Sequence, residues 1–244
     1  MSRLTLLVAV AAVLVAPPVD AGPCAVPTIG AVSATKPNAV VQDGGGVIVT
    51  LGRVDGPSDE VVRAPVSDVS RDDWRFVDGG KLVKPTIDKI APGLAVYRLP
   101  DSKSTSYVLE TAKHTKIVSV KRALDRGTTV LPAPVVVGGG QVDFPPMQRG
   151  GGGSVVTVHL VAPAPKGAFV LIAYGPDGVA RSSGTPEPGS KDVSIWHTRD
   201  RCETEAPGTL PSSIGEKITV AWLDESGRLS AKSAPIEIKP EKQK

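Results

Sequence analysis

The sequence predicts an all-β protein made of two β-sandwich units in tandem, and three observations carry that expectation. First, a glycine run followed at once by a β-branched run occurs twice: Gly44-Gly45-Gly46-Val47-Ile48-Val49-Thr50-Leu51, and Gly150 to Gly153 leading into Ser154-Val155-Val156-Thr157-Val158-His159-Leu160. Each copy is preceded by Gln and a charged residue (Gln42-Asp43, Gln148-Arg149), and Thr50 and Thr157 align at an offset of 107 residues, about the length of one sandwich domain. Second, glycine and proline are plentiful, 26 and 23 residues, but they separate short apolar runs and do not fill polar tracts, which is the punctuation of a turn-rich β-protein and not of a disordered chain. Third, no stretch holds the 3.6-residue apolar spacing of an amphipathic helix for more than a turn or two.

The start of the chain reads as an export signal. Arg3 supplies a positive charge, Leu4 to Ala16 is a continuous apolar run, and Val19-Asp20-Ala21 places small residues at the −3 and −1 positions of a cleavage site. The apolar run is too short to span a bilayer, which takes roughly 20 such residues, and it ends at Pro17-Pro18. The expected organisation is a signal peptide over 1–21, a first sandwich over 22–130, a second over 131–240 and a short basic tail over 241–244. The net charge of +3 is scattered and aromatic residues make up 4% of the chain. Nucleic-acid binding wants a basic stripe with stacking aromatics, so it is not expected.

Along the first unit, Pro27 to Ser33 is an apolar strand. Val47 to Leu51 is too apolar to have a wet face, which makes it central in its sheet. Arg53 to Asp73 is weakly patterned, with a turn at Asp55-Gly56-Pro57. Trp74 to Val77, Asp78-Gly79-Gly80 and Lys81 to Val83 form a hairpin whose Asp-Gly turn supplies the positive-φ positions. Gly93 to Leu99 alternates Leu94 and Val96 against Ala95, Tyr97 and Leu99, and Tyr107 to Glu110 and Lys116 to Val120 complete the unit.

In the second unit, Pro132 to Val137 is a strand led in by prolines that cannot donate to a ladder. Ser154 to Val161 repeats the post-glycine strand. Phe169 to Tyr174 and Val179-Ala180 flank Gly175-Pro176-Asp177-Gly178 in a second Asp-Gly hairpin. Val193 to His197 follows. Ile218 to Leu223 then turns through Asp224-Glu225-Ser226-Gly227 and returns to Ile236 and Ile238. Ile218, Val220 and Trp222 share one face by the two-residue period.

That last hairpin resembles the closing hairpin of fibronectin type III-like and other bacterial immunoglobulin-like domains. The first unit joins the resemblance through the repeated glycine run and the matching Asp-Gly hairpin. It lacks the paired cysteines of antibody-type domains. The resemblance implies two tandem immunoglobulin-like β-sandwiches in an exported protein with an adhesion, spacing or binding role, among which a fold alone does not choose.

Cys24 and Cys202 are the two cysteines, one per unit. An even count in an oxidising compartment favours a disulfide. Two free thiols, an intermolecular bridge and lipidation of Cys24 are the alternatives; Pro23 and Ala21 do not suit a lipidation site. A Cys24–Cys202 bond requires Cα atoms within about 7 Å, so it implies units folded back side by side, or an N-terminal segment reaching across to the second unit.

No catalytic signature survives inspection, and no cofactor is expected. Gly150 to Gly153 lacks the Lys-Ser/Thr of a phosphate loop and leads into a strand, not a helix. His114, His159 and His197 are not at ligand spacing, and the acidic loops at Asp55-Asp59-Glu60, Asp72-Asp73 and Asp200-Glu203-Glu205 lack a regular calcium-loop pattern, so no metal is expected. Trp74 and Trp222 fit a sandwich core. Trp196 alternates out of phase with Val193 and Ile195 and is the surface-binding candidate. The expected protein is exported to the periplasm or outside the cell, is not an enzyme, has no membrane span after cleavage, and binds a protein or an envelope or polysaccharide surface. The alternatives are a two-domain periplasmic assembly chaperone donating an edge strand, and an enzyme with its site in the domain cleft.

Overall fold

The computed structural model describes residues 29–53, 69, 71–123, 130–144, 153–198 and 216–241. Residues 1–28, which hold the expected signal peptide and Cys24, and residues 199–215, which hold Cys202, lie outside the described residues. Among the described residues the protein is all-β: strands and turns, with no helix.

Strands β1 (Ile29–Ser33), β2 (Ala39–Val41), β3 (Gly46–Arg53), β4 (Arg75–Asp78), β5 (Lys81–Val83), β6 (Thr86–Ala91), β7 (Leu94–Arg98), β8 (Ser106–Glu110) and β9 (Lys116–Arg122) make the first half. They form a four-stranded sheet, β1-β3-β7-β6, and a five-stranded sheet, β2-β9-β8-β4-β5. Between the two sheets lie Val47, Val49, Trp74, Phe76, Ala95, Tyr97, Tyr107 and Leu109. Trp74 and Tyr97 meet at 5.4 Å between ring centroids. The Tyr97 hydroxyl donates to the Val69 carbonyl and accepts the Arg71 amide, so this buried phenol is satisfied.

Strands β10 (Val136–Phe144), β11 (Gly153–Leu160), β12 (Ala168–Tyr174), β13 (Ala180–Gly184), β14 (Asp192–Thr198), β15 (Lys217–Asp224) and β16 (Ile236–Pro240) make the second half. They form one seven-stranded sheet, β13-β12-β15-β16-β10-β11-β14. Its core gathers Val156, Val158, Leu171, Val193, Ile195, Ile218, Val220, Trp222 and Ile238. Trp74 and Trp222 are both core, as their sequence context predicts.

The two halves repeat one strand order. β1-β3-β7 corresponds to β10-β11-β14, and β9-β8-β4-β5 to β16-β15-β12-β13. The repeated glycine runs open equivalent strands, β3 at Gly46 and β11 at Gly153. The halves differ in how the first strand changes sheets. In the first half it breaks into β1 and β2 around Lys36-Pro37-Asn38, with Asn38 at φ 60°, and β2 then runs parallel to β9. In the second half Gly138-Gly139-Gly140 carries β10 across unbroken, with a register shift at Val136/Gly138. β10 therefore pairs β11 and β16 at once and joins two layers into one sheet.

Two expected features shift. In the β4–β5 hairpin, Asp78 pairs with Lys81, and the positive-φ positions fall on Gly79 (φ 55°) and Gly80 (φ 83°), not on Asp-Gly. The β15–β16 hairpin is laddered only at Lys217–Glu237 and Ile218–Ile236. Between them the Ser230 and Ser233 hydroxyls accept the Trp222 and Val220 amides, replacing a regular return strand.

Candidate functional site

The two halves meet face to face. Residues of β3 and β7 alternate between inner and outer faces: Val47, Val49, Ala95 and Tyr97 fill the first core, while Ile48, Leu94 and Val96 point the other way. On the second half Val170, Ile172 and Tyr174 of β12 and Ala221 and Leu223 of β15 do the same. These outward residues form one buried cluster with Ile90 and Ala91. Four strands are thus buried on both sides, which is why β3 reads as an unbroken apolar run.

Beside this cluster a turn of the second half seats in the first. The Asp224 carboxylate accepts the Ser226 and Arg228 amides and pairs with the Arg228 guanidinium at 2.9 Å. Gly227 takes φ 77°, closing the turn. The shaped turn then presents two backbone carbonyls. That of Ser226 accepts the Gly46 amide at 2.8 Å, and that of Gly227 accepts Arg98 at 2.9 Å. Arg98 also donates to the Gly44 carbonyl and pairs with Asp88 at 2.6 Å, so one guanidinium ties both halves and an acid together. A Cβ on Gly45 would run into the Ser226 carbonyl oxygen, and one on Gly46 into that of Tyr97. The first glycine run is therefore both a strand lead-in and a close-approach seat. The seat was not legible in the sequence, because its occupant lies more than 170 residues further along the chain.

Among the described residues, several concavities border this frame. At the end of the junction a cleft of about 630 Å³ lies between β6–β7 and β12–β13, walled by Ile90, Ala91, Leu94, Ala180 and Leu229 and edged by Lys89 and Tyr174. Lys232 stands over the Tyr174 ring, its Nζ 3.8 Å from the centroid, and donates to the Gly178 carbonyl at 3.3 Å. Burial pushes the Tyr174 phenol above its ordinary value. Among the described residues of its lining there is no carboxylate and no histidine to pair as acid and base.

A second groove, of about 840 Å³, is a wedge between the leading ends of β10 and β16, which are laddered only from Gly139–Ile238 to Gln141–Pro240. Its lip carries Val135 and Val137, 66% and 73% exposed. A third, smaller hollow of about 540 Å³ between β13 and β14 is hydroxyl-rich, with Ser183, Thr185, Ser190 and Ser194 beside Glu187 and Asp192.

Of the residues singled out in the sequence, Trp196 has its backbone on β14, paired with Val155; its side chain lies outside the described residues, as does that of His197. His159 sits between two acids, its Nδ1 2.8 Å from Asp192 and its Nε2 3.3 Å from Glu241. His114 takes φ 62° and contacts Glu110 at 2.7 Å. Asp73 is bound by Arg71 through two hydrogen bonds. Among the described residues no three acidic, histidine or cysteine side chains are grouped to hold a metal ion. No helix there is long and apolar enough to cross a membrane.

No family model matches the chain, and no curated protein does. Among solved structures, one similar chain is a biofilm associated protein, BSP domain. It is 11% identical with a TM-score of 0.28 over 89% of this chain and 30% of that one, so this chain spans less than a third of that structure's length.

Proposed function

We propose that the chain is an exported, non-enzymatic protein of two tandem immunoglobulin-like sandwiches, with a binding or structural role at the cell envelope or outside the cell. The observation that supports it most is the junction. Two β-units, each with its own core, are fused through a shared apolar cluster and a seated turn. Such a frame presents surfaces at fixed relative positions. The strand orders β1-β3-β7-β6 and β9-β8-β4 support the immunoglobulin-like part of this reading, because they are compatible with two facing sheets of that kind. The Cys24–Cys202 disulfide belongs to the same reading: it would add a covalent tie to a pair already held side by side, and non-reducing peptide mass mapping tests it. For the role itself, fluorescently labelled protein is incubated with envelope fractions and surface polysaccharide. Saturable retention is expected. Turnover in a hydrolase panel that disappears in His159→Ala or Asp192→Asn would overturn the reading.

One observation favours a second reading, the periplasmic assembly chaperone that works through an edge strand. The wedge between β10 and β16 leaves strand edges and two valines open, the kind of site an added strand uses. Pro134 and Pro235 stand on its walls, and prolines blunt an edge against pairing, so this reading ranks second. Co-purification of a pilin-like subunit would promote it.

A further inference from the structure

An Asp-Gly pair is prone to isomerise, because a glycine amide has no Cβ beside it to hinder its attack on the preceding carboxyl. Among the described residues the pair occurs three times, at Asp43-Gly44, Asp78-Gly79 and Asp177-Gly178. In each the glycine takes a positive φ, 71°, 55° and 76°. The surroundings of the aspartate differ.

Two of the three side chains are held by the fold. Asp177 accepts the Val179 amide at 3.0 Å and pairs with Arg181, and the Gly178 amide is itself taken by the Gly175 carbonyl at 2.9 Å. Asp78 ends strand β4 and accepts the Ser104 hydroxyl. The hydroxyls of Ser104 and Ser102 hold its carboxyl below the ordinary value, which depletes the neutral acid that loses water most readily. Asp43 is exposed, and around it the bonds hold the main chain instead. The Gly45 amide donates to the Gln42 carbonyl at 3.0 Å, closing a turn with Asp43 and Gly44 at its corner.

That corner lies in the seat of the second half. The Gln42 amide donates to the Ser226 hydroxyl at 3.1 Å. Past Asp43, the Gly44 carbonyl accepts Arg98 at 2.9 Å and the Gly46 amide donates to the Ser226 carbonyl at 2.8 Å. Residue 43 is thus bracketed by contacts that fix the length of chain between them.

We propose that Asp43-Gly44 is a site of spontaneous covalent modification, converting to an isoaspartyl linkage that loosens the junction between the halves. The Gly44 nitrogen bonds to Asp43 Cγ, and the hydroxyl of the carboxylic acid leaves with the amide proton as water, giving a five-membered imide. Water then adds at the former main-chain carbonyl and breaks its bond to nitrogen, so the chain continues through Cβ and Cγ. One water leaves and one returns, and nothing is oxidised or reduced. The product carries one extra backbone atom between Gln42 and Gly44, so the contacts of Gln42, Gly44 and Gly46 with the seated turn and Arg98 cannot all be kept. This goes beyond the binding or structural role proposed above and does not depend on it.

In the test, the full-length protein is aged at physiological temperature and neutral pH, folded and, in parallel, in concentrated urea. Isoaspartate is counted at the three sites by peptide mapping with fragmentation that separates it from aspartate. In the folded protein Asp43 is expected to convert faster than Asp177 by roughly fivefold for each hydrogen bond that must break, and faster than Asp78; in urea the three rates converge. The thermal midpoint of the aged protein is expected to fall in step with isoaspartate at 43. Asp43→Glu, whose longer side chain would have to close a six-membered ring, holds its midpoint over the same period. Equal rates at the three sites in the folded protein overturn the proposal, as does a spread that persists in urea. So does isoaspartate at 43 with no loss of midpoint, or an equal loss in Asp43→Glu; the comparison of rates in the wild-type chain needs no variant to fold.

Discussion

At Gly45 the side chain is absent because a carbonyl is in its place. The Ser226 oxygen occupies the position a Cβ would take. Gly45→Ala must push the turn outward or tilt β3, and overpacking of this kind costs about 1–3 kcal/mol; a lowered thermal midpoint with unchanged far-UV circular dichroism checks it. Gly80 has the opposite reason for being glycine: nothing lies within reach of its Cβ, but its φ is 83°. A different residue-scale effect belongs to Asp73. Its two hydrogen bonds from Arg71 hold its carboxyl below the ordinary 3.8. A carboxyl with a depressed folded-state pKa contributes stability that is complete above the unfolded value and is lost as pH falls through the folded one. Asp73→Asn is therefore expected to flatten the acid limb of stability below about pH 4 and to change nothing of that slope near neutrality, as read from denaturant midpoints across pH. The effect is small, because the Asp73 side chain is 42% exposed and solvent screens the pair.

Strands divide into those buried on two faces and those buried on one. Ile172 of β12 is fully buried against the other half; Ile172→Ala should cost about 2–5 kcal/mol. Leu82 of edge strand β5 is 54% exposed; Leu82→Ala should fall within about 0.5 kcal/mol. Urea midpoints of the two variants test the contrast. The same division decides what the sequence can disclose. β3 and β15 are strongly apolar, so they read as strands, and the alternation of Ile218, Val220 and Trp222 correctly assigns one face to a core. The other face, Ala221 and Leu223, packs on the first half; residue type marks it as apolar but cannot name what covers it. Two strands escape the pattern altogether. β2 is three residues long and bonds in parallel to β9. In β6 a register shift between Lys89 and Ala91 breaks the two-residue period, so Ile87 and Ile90 do not read as one face. The Tyr174 cleft was likewise hidden, because its walls come from both halves.

The molecule as a whole is governed by how closely its halves are joined. Were they beads on a string, each would unfold on its own. Here the buried faces of β3, β7, β12 and β15 lose their cover together, so calorimetry is expected to give one transition with calorimetric and van't Hoff enthalpies in agreement. Two resolved transitions would mean that the junction is weaker than its apolar content implies.

The seating of Ser226 and Gly227 on Gly46 and Arg98 also sets an order of events in the cell. The ribosome finishes the receptacle long before it makes the plug. During that interval Ile48, Leu94 and Val96 face water with no cover, an exposed greasy surface of the sort that invites misassembly in multidomain chains. Until residue 227 has emerged, the nascent N-terminal half needs either speed or an escort.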